Sequence, residues 1–241
     1  MKGLLVFLGS ALYTFLFFLS VLVLGFFVLL PSPIIEEKER WKIISFFSRS
    51  NIYACRVLCG LRYEALGLEN LPKKPCVVFL KHASVYEMFF AVLFLQPSSY
   101  VAKYELMYVP ILRGALKALK SIPVKRGLGK TEVSKVLEQG RRCLKDGRWI
   151  VLCPEGTRVP YGETKRFGLS GSLLAKATGA DVLPIAHNAG YYWGRRSLIK
   201  KPGIITFSVG RPIKTYNKNA QEINQAAQSW IEEEISKMTI K

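Results

Sequence analysis

From Gly3 to Leu30 the chain runs for 28 residues without a charged side chain, and Leu, Phe and Val dominate the run. That length and composition suit a membrane helix and are rare in a buried soluble one. At about 1.5 Å per residue a straight helix over the run reaches roughly 42 Å, more than the ~30 Å hydrocarbon layer. The helix is therefore expected to tilt, break near Gly25, or dip in and return. A secretory signal fits poorly, because the run is too long and Leu29-Leu30-Pro31-Ser32-Pro33 contains no small-x-small cleavage site. Residues 1–33 are read as a retained membrane-anchoring hydrophobic helix.

Pro31 and Pro33 close the run, and Glu36-Glu37-Lys38-Glu39-Arg40 marks the return to water. Residues 34–62 follow as a basic amphipathic helical segment at the membrane. There Ile43, Ile44, Phe46, Phe47, Ile52, Tyr53, Val57 and Leu58 are interleaved with Lys42, Arg49 and Arg56. This segment either packs on the domain or lies on the lipid surface. The rest, residues 63–241, is one catalytic domain, since 241 residues leave little room for a second.

Within that domain short β-rich runs alternate with helical patterns. Cys76–Leu80, Ser99–Ala102, Ser121–Val124, Trp149–Cys153, Val182–Ile185 and Ile204–Val209 read as strands. Helices are expected near Tyr86–Leu95, Val109–Leu119, Lys130–Lys145 and Ser170–Thr178, with a closing amphipathic helix over Ala220–Met238. Such alternation predicts an α/β fold with a mostly parallel central sheet flanked by helices.

Lys and Arg number 35 against 17 Asp and Glu, a formal charge of +18 that, apart from Lys2, lies after residue 30. A cationic domain attracts phosphate-rich partners, whether nucleic acid, anionic lipid headgroups, coenzyme A or an acidic carrier protein. Charge alone does not choose among them. The five cysteines, Cys55, Cys59, Cys76, Cys143 and Cys153, form no Cys-x-x-Cys pair and have no nearby histidine, so neither a disulfide framework nor a metal site is suggested. Reduced thiols, together with the Lys and Arg that follow the anchor, place the catalytic domain on the cytoplasmic face of a membrane, the inner membrane in a bacterium.

Four stretches carry chemistry. The strand ending at Lys81-His82 runs into Ala83-Ser84-Val85-Tyr86-Glu87. Residues five apart on a regular helix lie about 140° apart around its axis, so His82 and Glu87 meet only if His82 precedes the helix and Glu87 sits in its first turn. A carboxylate on one imidazole nitrogen sets the tautomer and leaves the other nitrogen to take a proton from a hydroxyl. In Cys153-Pro154-Glu155-Gly156-Thr157-Arg158, proline stops a strand, glycine permits a tight turn, and Glu155, Thr157 and Arg158 present polar groups at the same sheet edge. After Ser121-Ile122-Pro123-Val124 come Lys125 and Arg126, the guanidinium being the better phosphate ligand and the lysine a supporting charge. Finally Val182-Leu183-Pro184-Ile185-Ala186-His187-Asn188 reads as a strand turning at Pro184 toward a pocket wall.

The order of these four stretches, a His-x4-acid, a cationic strand end, Pro-Glu-Gly-Thr-Arg and a Leu-Pro-Ile strand, resembles the glycerolipid acyltransferase family over about residues 76–190, specifically its 1-acylglycerol-3-phosphate (lysophosphatidic acid) acyltransferases. The resemblance implies an α/β acyltransferase that uses neither a metal, a cofactor nor a covalent acyl-enzyme. Acyl-CoA or acyl carrier protein would be the co-substrate, a membrane lysophospholipid the acceptor, and phosphatidic acid the product. It assigns catalysis to His82 and Glu87, the acceptor phosphate to Arg126, Glu155, Gly156, Thr157 and Arg158, and a further substrate contact to Pro184 and its neighbours. The chain departs from the family pattern at Glu87, where aspartate is usual, at Lys81, where asparagine is common, and at Cys153, which replaces phenylalanine.

Competing readings fit the residues less well. A P-loop over Gly127-Leu128-Gly129-Lys130-Thr131 needs glycine at position 124, which is Val124. A nucleophile elbow over Gly168-Leu169-Ser170-Gly171-Ser172 needs glycine at 172. A membrane-bound nucleic-acid binder would use the charge and the 29 aromatic residues but leaves the ordered motifs without a purpose. No nucleic-acid partner is expected.

Overall fold

The structure is a computed structural model, and it describes residues 2–29, 34–125 and 129–240. Helix α1 (Lys2–Leu29) is followed by α2 (Glu37–Cys59), β1 (Leu61–Leu66), β2 (Val77–Leu80), α3 (Tyr86–Phe94), β3 (Ser98–Lys103), α4 (Pro110–Ala118) and β4 (Ile122–Val124). Then come α5 (Lys130–Lys145), β5 (Trp149–Leu152), α6 (Ser170–Thr178), β6 (Val182–His187), the single turn α7 (Ala189–Tyr192), β7 (Gly203–Val209) and α8 (Ala220–Lys237). The seven strands form one sheet in the order β1-β7-β6-β2-β5-β3-β4. Every neighbouring pair is parallel except β6 with β7. The α/β class with a mostly parallel sheet is thus present.

Both faces of the sheet are covered, so the central strands β2, β5 and β6 are buried throughout rather than half-polar. On β2, Val78 and Leu80 join a core with Tyr13 of α1, Trp41, Ile44 and Cys55 of α2, and Phe89 and Phe90 of α3. Their neighbours Val77 and Phe79 point the other way, to Val136 of α5, Leu174 of α6 and Ile223, Ala227 and Ile231 of α8. An Asn219 capping box with Glu222 starts α8.

The apolar helix does not break. α1 passes through Gly25, where the missing side chain admits Ile111 of α4. One stripe, Ser10 and Tyr13 in particular, is buried against the domain, while Leu4, Leu5, Leu12, Phe15, Leu22 and Phe26 stay exposed. A span of Gly3–Phe26 is long and apolar enough to cross a membrane. The Pro31–Pro33 linker lies outside the described residues.

α2 packs on the domain, with Trp41, Ile44, Ser48, Asn51, Cys55 and Cys59 buried on one side, while Phe46, Tyr53 and Val57 are exposed on the other. It is one continuous helix, ended by Gly60 in the left-handed conformation. Leu61 and Arg62 already belong to β1, a strand that the sequence reading merged into the helical segment. Buried Arg148, just before β5, ties α2 to the sheet. Its guanidinium donates to Ser99 Oγ at 2.9 Å, to the carbonyls of Ser98 and Leu119 at 3.0 and 2.9 Å, and to Glu37 in the first turn of α2.

Candidate active site

β2 lies between β5 and β6, and all three run parallel. The residues leaving their carboxyl ends, His82, Glu155 and His187, are therefore brought to one edge, the usual position for a site in an open α/β sheet. His82 sits in the loop after β2 and Glu87 in the first turn of α3, the arrangement that the five-residue spacing requires. His82 Nδ1 is hydrogen-bonded to Glu87 Oε1, which leaves Nε2 for a substrate.

Glu87 is fully buried, and its second oxygen accepts the amides of Ala83 and Ser84 at 3.0 and 2.7 Å. The same oxygen lies 3.1 Å from Nε2 of His187. Burial pushes the Glu87 carboxyl up, but hydrogen bonds from His187 and His82 outweigh it and hold the group down at about 2. Because this is below the ordinary 4.5, the ionised carboxylate contributes stability that is present above that pH and is lost as pH falls toward 2.

His187 ends β6, and the sequence reading gave it no role. Its signal was its rarity, since it is one of only two histidines and closes the fourth motif. The Ala189 amide donates to Nδ1 at 3.2 Å, so the proton sits on Nε2, which donates to the Lys81 carbonyl at 2.8 Å. The imidazole is buried and lies 5.1 Å from the Phe207 ring.

The Pro154–Arg158 turn does more for His82 than for open space. Gly156 has φ +69° and donates its amide to the Cys153 carbonyl, giving the tight turn that the glycine implied. Glu155 faces inward, its Oε1 accepting the His82 amide at 3.2 Å and pairing with Lys81 Nζ at 3.3 Å. Burial holds this carboxyl above its usual range, with Lys81 opposing the shift. The Val159 amide donates to the His82 carbonyl at 2.8 Å, so the backbone of His82 is held from both sides. Thr157 and Arg158 are half-buried beside it, and Arg158 Nε is buried without a hydrogen-bond partner. Cys153 places its sulfur within 4.8 Å of donor atoms of both His82 and Glu87.

Two expected ligands lie elsewhere. Lys125 follows β4, the far edge strand, three positions from β2 and so about 14 Å along the sheet. Its ammonium rests 4.7 Å from the centre of the Tyr104 ring. Pro184 is not at a strand end but inside β6, in register with Phe79, and its carbonyl accepts the Gly210 amide at 2.9 Å. A proline is tolerated there because β7 pairs with β6 only from Ile185 onward. Arg126 lies outside the described residues.

A largely apolar cavity of about 240 Å³ opens beside α3, lined in part by Phe17 and Gly25 of α1, Phe47 of α2, Val85 and Met88 flanking Glu87, and Ile111 of α4. It reaches from α1 and α2 to the residues next to the dyad.

The acyltransferase family profile matches residues 62–188. The chain is 39% identical to a 1-acyl-sn-glycerol-3-phosphate acyltransferase of Pseudomonas aeruginosa over 238 residues, 95% of this chain and 93% of that one. It is 25% identical to the enzyme of the same name from Saccharomyces cerevisiae, over 91% of this chain and 76% of that one. The fold is similar to the crystal structure of the 1-acyl-sn-glycerophosphate (LPA) acyltransferase PlsC from Thermotoga maritima, with a TM-score of 0.79 at 19% identity, covering 99% of this chain and 100% of the other.

Proposed function

The chain belongs to the acyltransferase family and is an acyltransferase of the 1-acylglycerol-3-phosphate type, and from that premise we propose that it moves a fatty acyl group from a thioester onto the free hydroxyl of lysophosphatidic acid. The observation that carries this reading is the buried Glu87 holding Nδ1 of His82 at the carboxyl edge of the sheet, with the apolar cavity alongside.

His82 Nε2 takes the proton of the acceptor hydroxyl as its oxygen attacks the thioester carbonyl. Glu87 stabilises the imidazolium that forms. The C–S bond then breaks, the proton passes from His82 to the departing thiolate, and an ester and a free thiol leave. The thiol belongs to coenzyme A or to the prosthetic arm of acyl carrier protein. Glu155 and Val159 fix the main chain of His82, so the Pro-Glu-Gly-Thr-Arg stretch serves positioning through Glu155, and the acceptor phosphate is assigned to the guanidinium groups of Arg158 and Arg126. The apolar cavity takes an acyl chain, and the exposed faces of α1 and α2 keep the site at the bilayer, on its cytoplasmic face, where lysolipid and product both reside.

His82→Ala tests the dyad in an acyl-transfer assay with purified protein, a lysophosphatidic acid acceptor and each donor in turn. The expected result is a loss of about 10²–10⁴-fold in rate, the usual contribution of a general base, with a cooperative melting transition retained. Normal turnover in that variant would overturn the assignment.

A further inference from the structure

Glu87 stands where the family pattern has aspartate, and the structure gives the extra methylene a use. Its carboxylate reaches two imidazoles at once, His82 through Oε1 and His187 through Oε2, the latter at 3.1 Å. His187 cannot turn away, because the Ala189 amide holds Nδ1 and the Lys81 carbonyl takes the Nε2 proton. It is held further by its place at the end of β6, against Phe207 of β7.

We propose that His187 is a positioning residue for acyl transfer: the Nε2–H that it gives to the Lys81 carbonyl also faces the outer oxygen of Glu87 at 3.1 Å, and that positive edge limits how strongly the carboxylate draws the proton it shares with His82. This rests on the reading of His82 as the base. The other charged and titratable groups around the carboxylate are accounted for. From β2 and the β5 turn, Lys81 and Glu155 pair with each other, and Cys153 approaches the dyad. From the β5–α6 connection and α8, Tyr161, Glu163 and Glu232 line a separate cavity of about 240 Å³ that touches Lys81 and His187. On α3 itself, Tyr86 is buried in the aromatic core with Phe89 and Phe207. Among the described residues, the only other donors to Glu87 Oε2 are the amides of Ala83 and Ser84, which no side-chain substitution removes.

Removing the Nε2–H donor leaves the carboxylate less stabilised and more basic. A more basic carboxylate favours the imidazolium, so the base is protonated at higher pH. In His187→Leu the acid limb of kcat/KM is therefore expected to move up by about one pH unit, the usual effect of one charge-assisted hydrogen bond. His187→Gln restores an N–H donor at similar reach and returns the limb toward its wild-type position. Glu87→Asp keeps a carboxylate for His82 but is too short to reach His187 as well, so it is expected to move the limb in the same direction. In the Glu87→Asp background, adding His187→Leu should then move it no further, the non-additivity expected of two groups acting through one contact.

The experiment is a set of pH–rate profiles for wild type, H187L, H187Q, E87D and E87D/H187L, each with a melting curve. A displaced limb in H187L and E87D, with recovery in H187Q, supports the proposal. A limb that stays in place while only kcat or the melting temperature falls would overturn it and leave His187 as a packing residue. Should H187L not fold, E87D and H187Q decide the matter, and an unmoved limb in E87D is the overturning result. His82→Ala with normal turnover would instead remove the dyad reading, so the two failures are told apart.

Discussion

At the residue scale the site is a balance of buried charges. Lys81 and Glu155 form an ion pair whose side chains are 6% and 0% exposed, and Glu155 also receives the His82 amide. Breaking a buried pair by removing one partner costs about 3–5 kcal/mol, because the survivor is left charged without compensation. Lys81→Met is therefore expected to lower the melting temperature markedly. The deficit should depend on pH in a definite direction. Glu155 is already held above its ordinary 4.5, and losing Lys81 raises it further, so the penalty is absent below that pH and grows as pH rises. Melting curves across pH 4 to 8 check this, and a deficit independent of pH would refute the pairing. Lys81, where asparagine is common in the family pattern, is thus the cation that neutralises the carboxylate holding His82.

At the scale of elements, most of the periodicity was readable. Lys130–Lys145 and Ser170–Thr178 are helices with the boundaries that the pattern predicts, and six strands fall where the apolar runs lie. β1 was missed because Leu61–Leu66 follows the amphipathic helix with no polar gap, although Gly60, a helix-ending residue with φ +64°, marked the boundary. How α1 meets α2 was not readable. Gly9 of α1 lies so close to α2 that a Cβ there would overlap the Leu58 carbonyl. In a helix Gly→Ala ordinarily stabilises by up to about 1 kcal/mol. Gly9→Ala is expected to do the opposite, costing about 1–3 kcal/mol through overpacking. Gly3→Ala, in open space on the same helix, is the control and should be neutral or slightly stabilising. Equal melting temperatures for the two variants would show that the crossing is not tight.

At the scale of the whole molecule, the hydrophobic run is long and apolar enough to cross a membrane and is also packed into the domain. α1 contributes Phe17, Val21, Leu24 and Gly25 to the cavity beside the dyad, together with residues of α2, α3 and α4. If an acyl chain occupies that space, Gly25→Leu narrows it, because Gly25 and Ile111 both line the cavity and a Cβ at 25, 2.9 Å from the Ile111 side chain, forces the two walls to rearrange. The variant is expected to retain transfer from short-chain donors and to lose about tenfold or more in kcat/KM with long-chain ones, the effect of a few kcal/mol of lost apolar contact. Competition between donors of different length measures it, and an unchanged length preference would place the chain elsewhere.

Period, length and residue type determined the apolar helix, the α/β alternation, the mostly parallel sheet and the identity of the histidine and its acid, because each of these is local: a strand end, a helix first turn and a five-residue spacing already define them. Strand order was decided only by the tertiary structure. Placing β2 between β5 and β6 brought Glu155 under the His82 backbone and His187 against Glu87, while the edge position of β4 carried Lys125 away from both. Which buried carboxylate meets which cation depends on the neighbours that the sheet supplies from 70 to 100 residues away, and no local pattern encodes those.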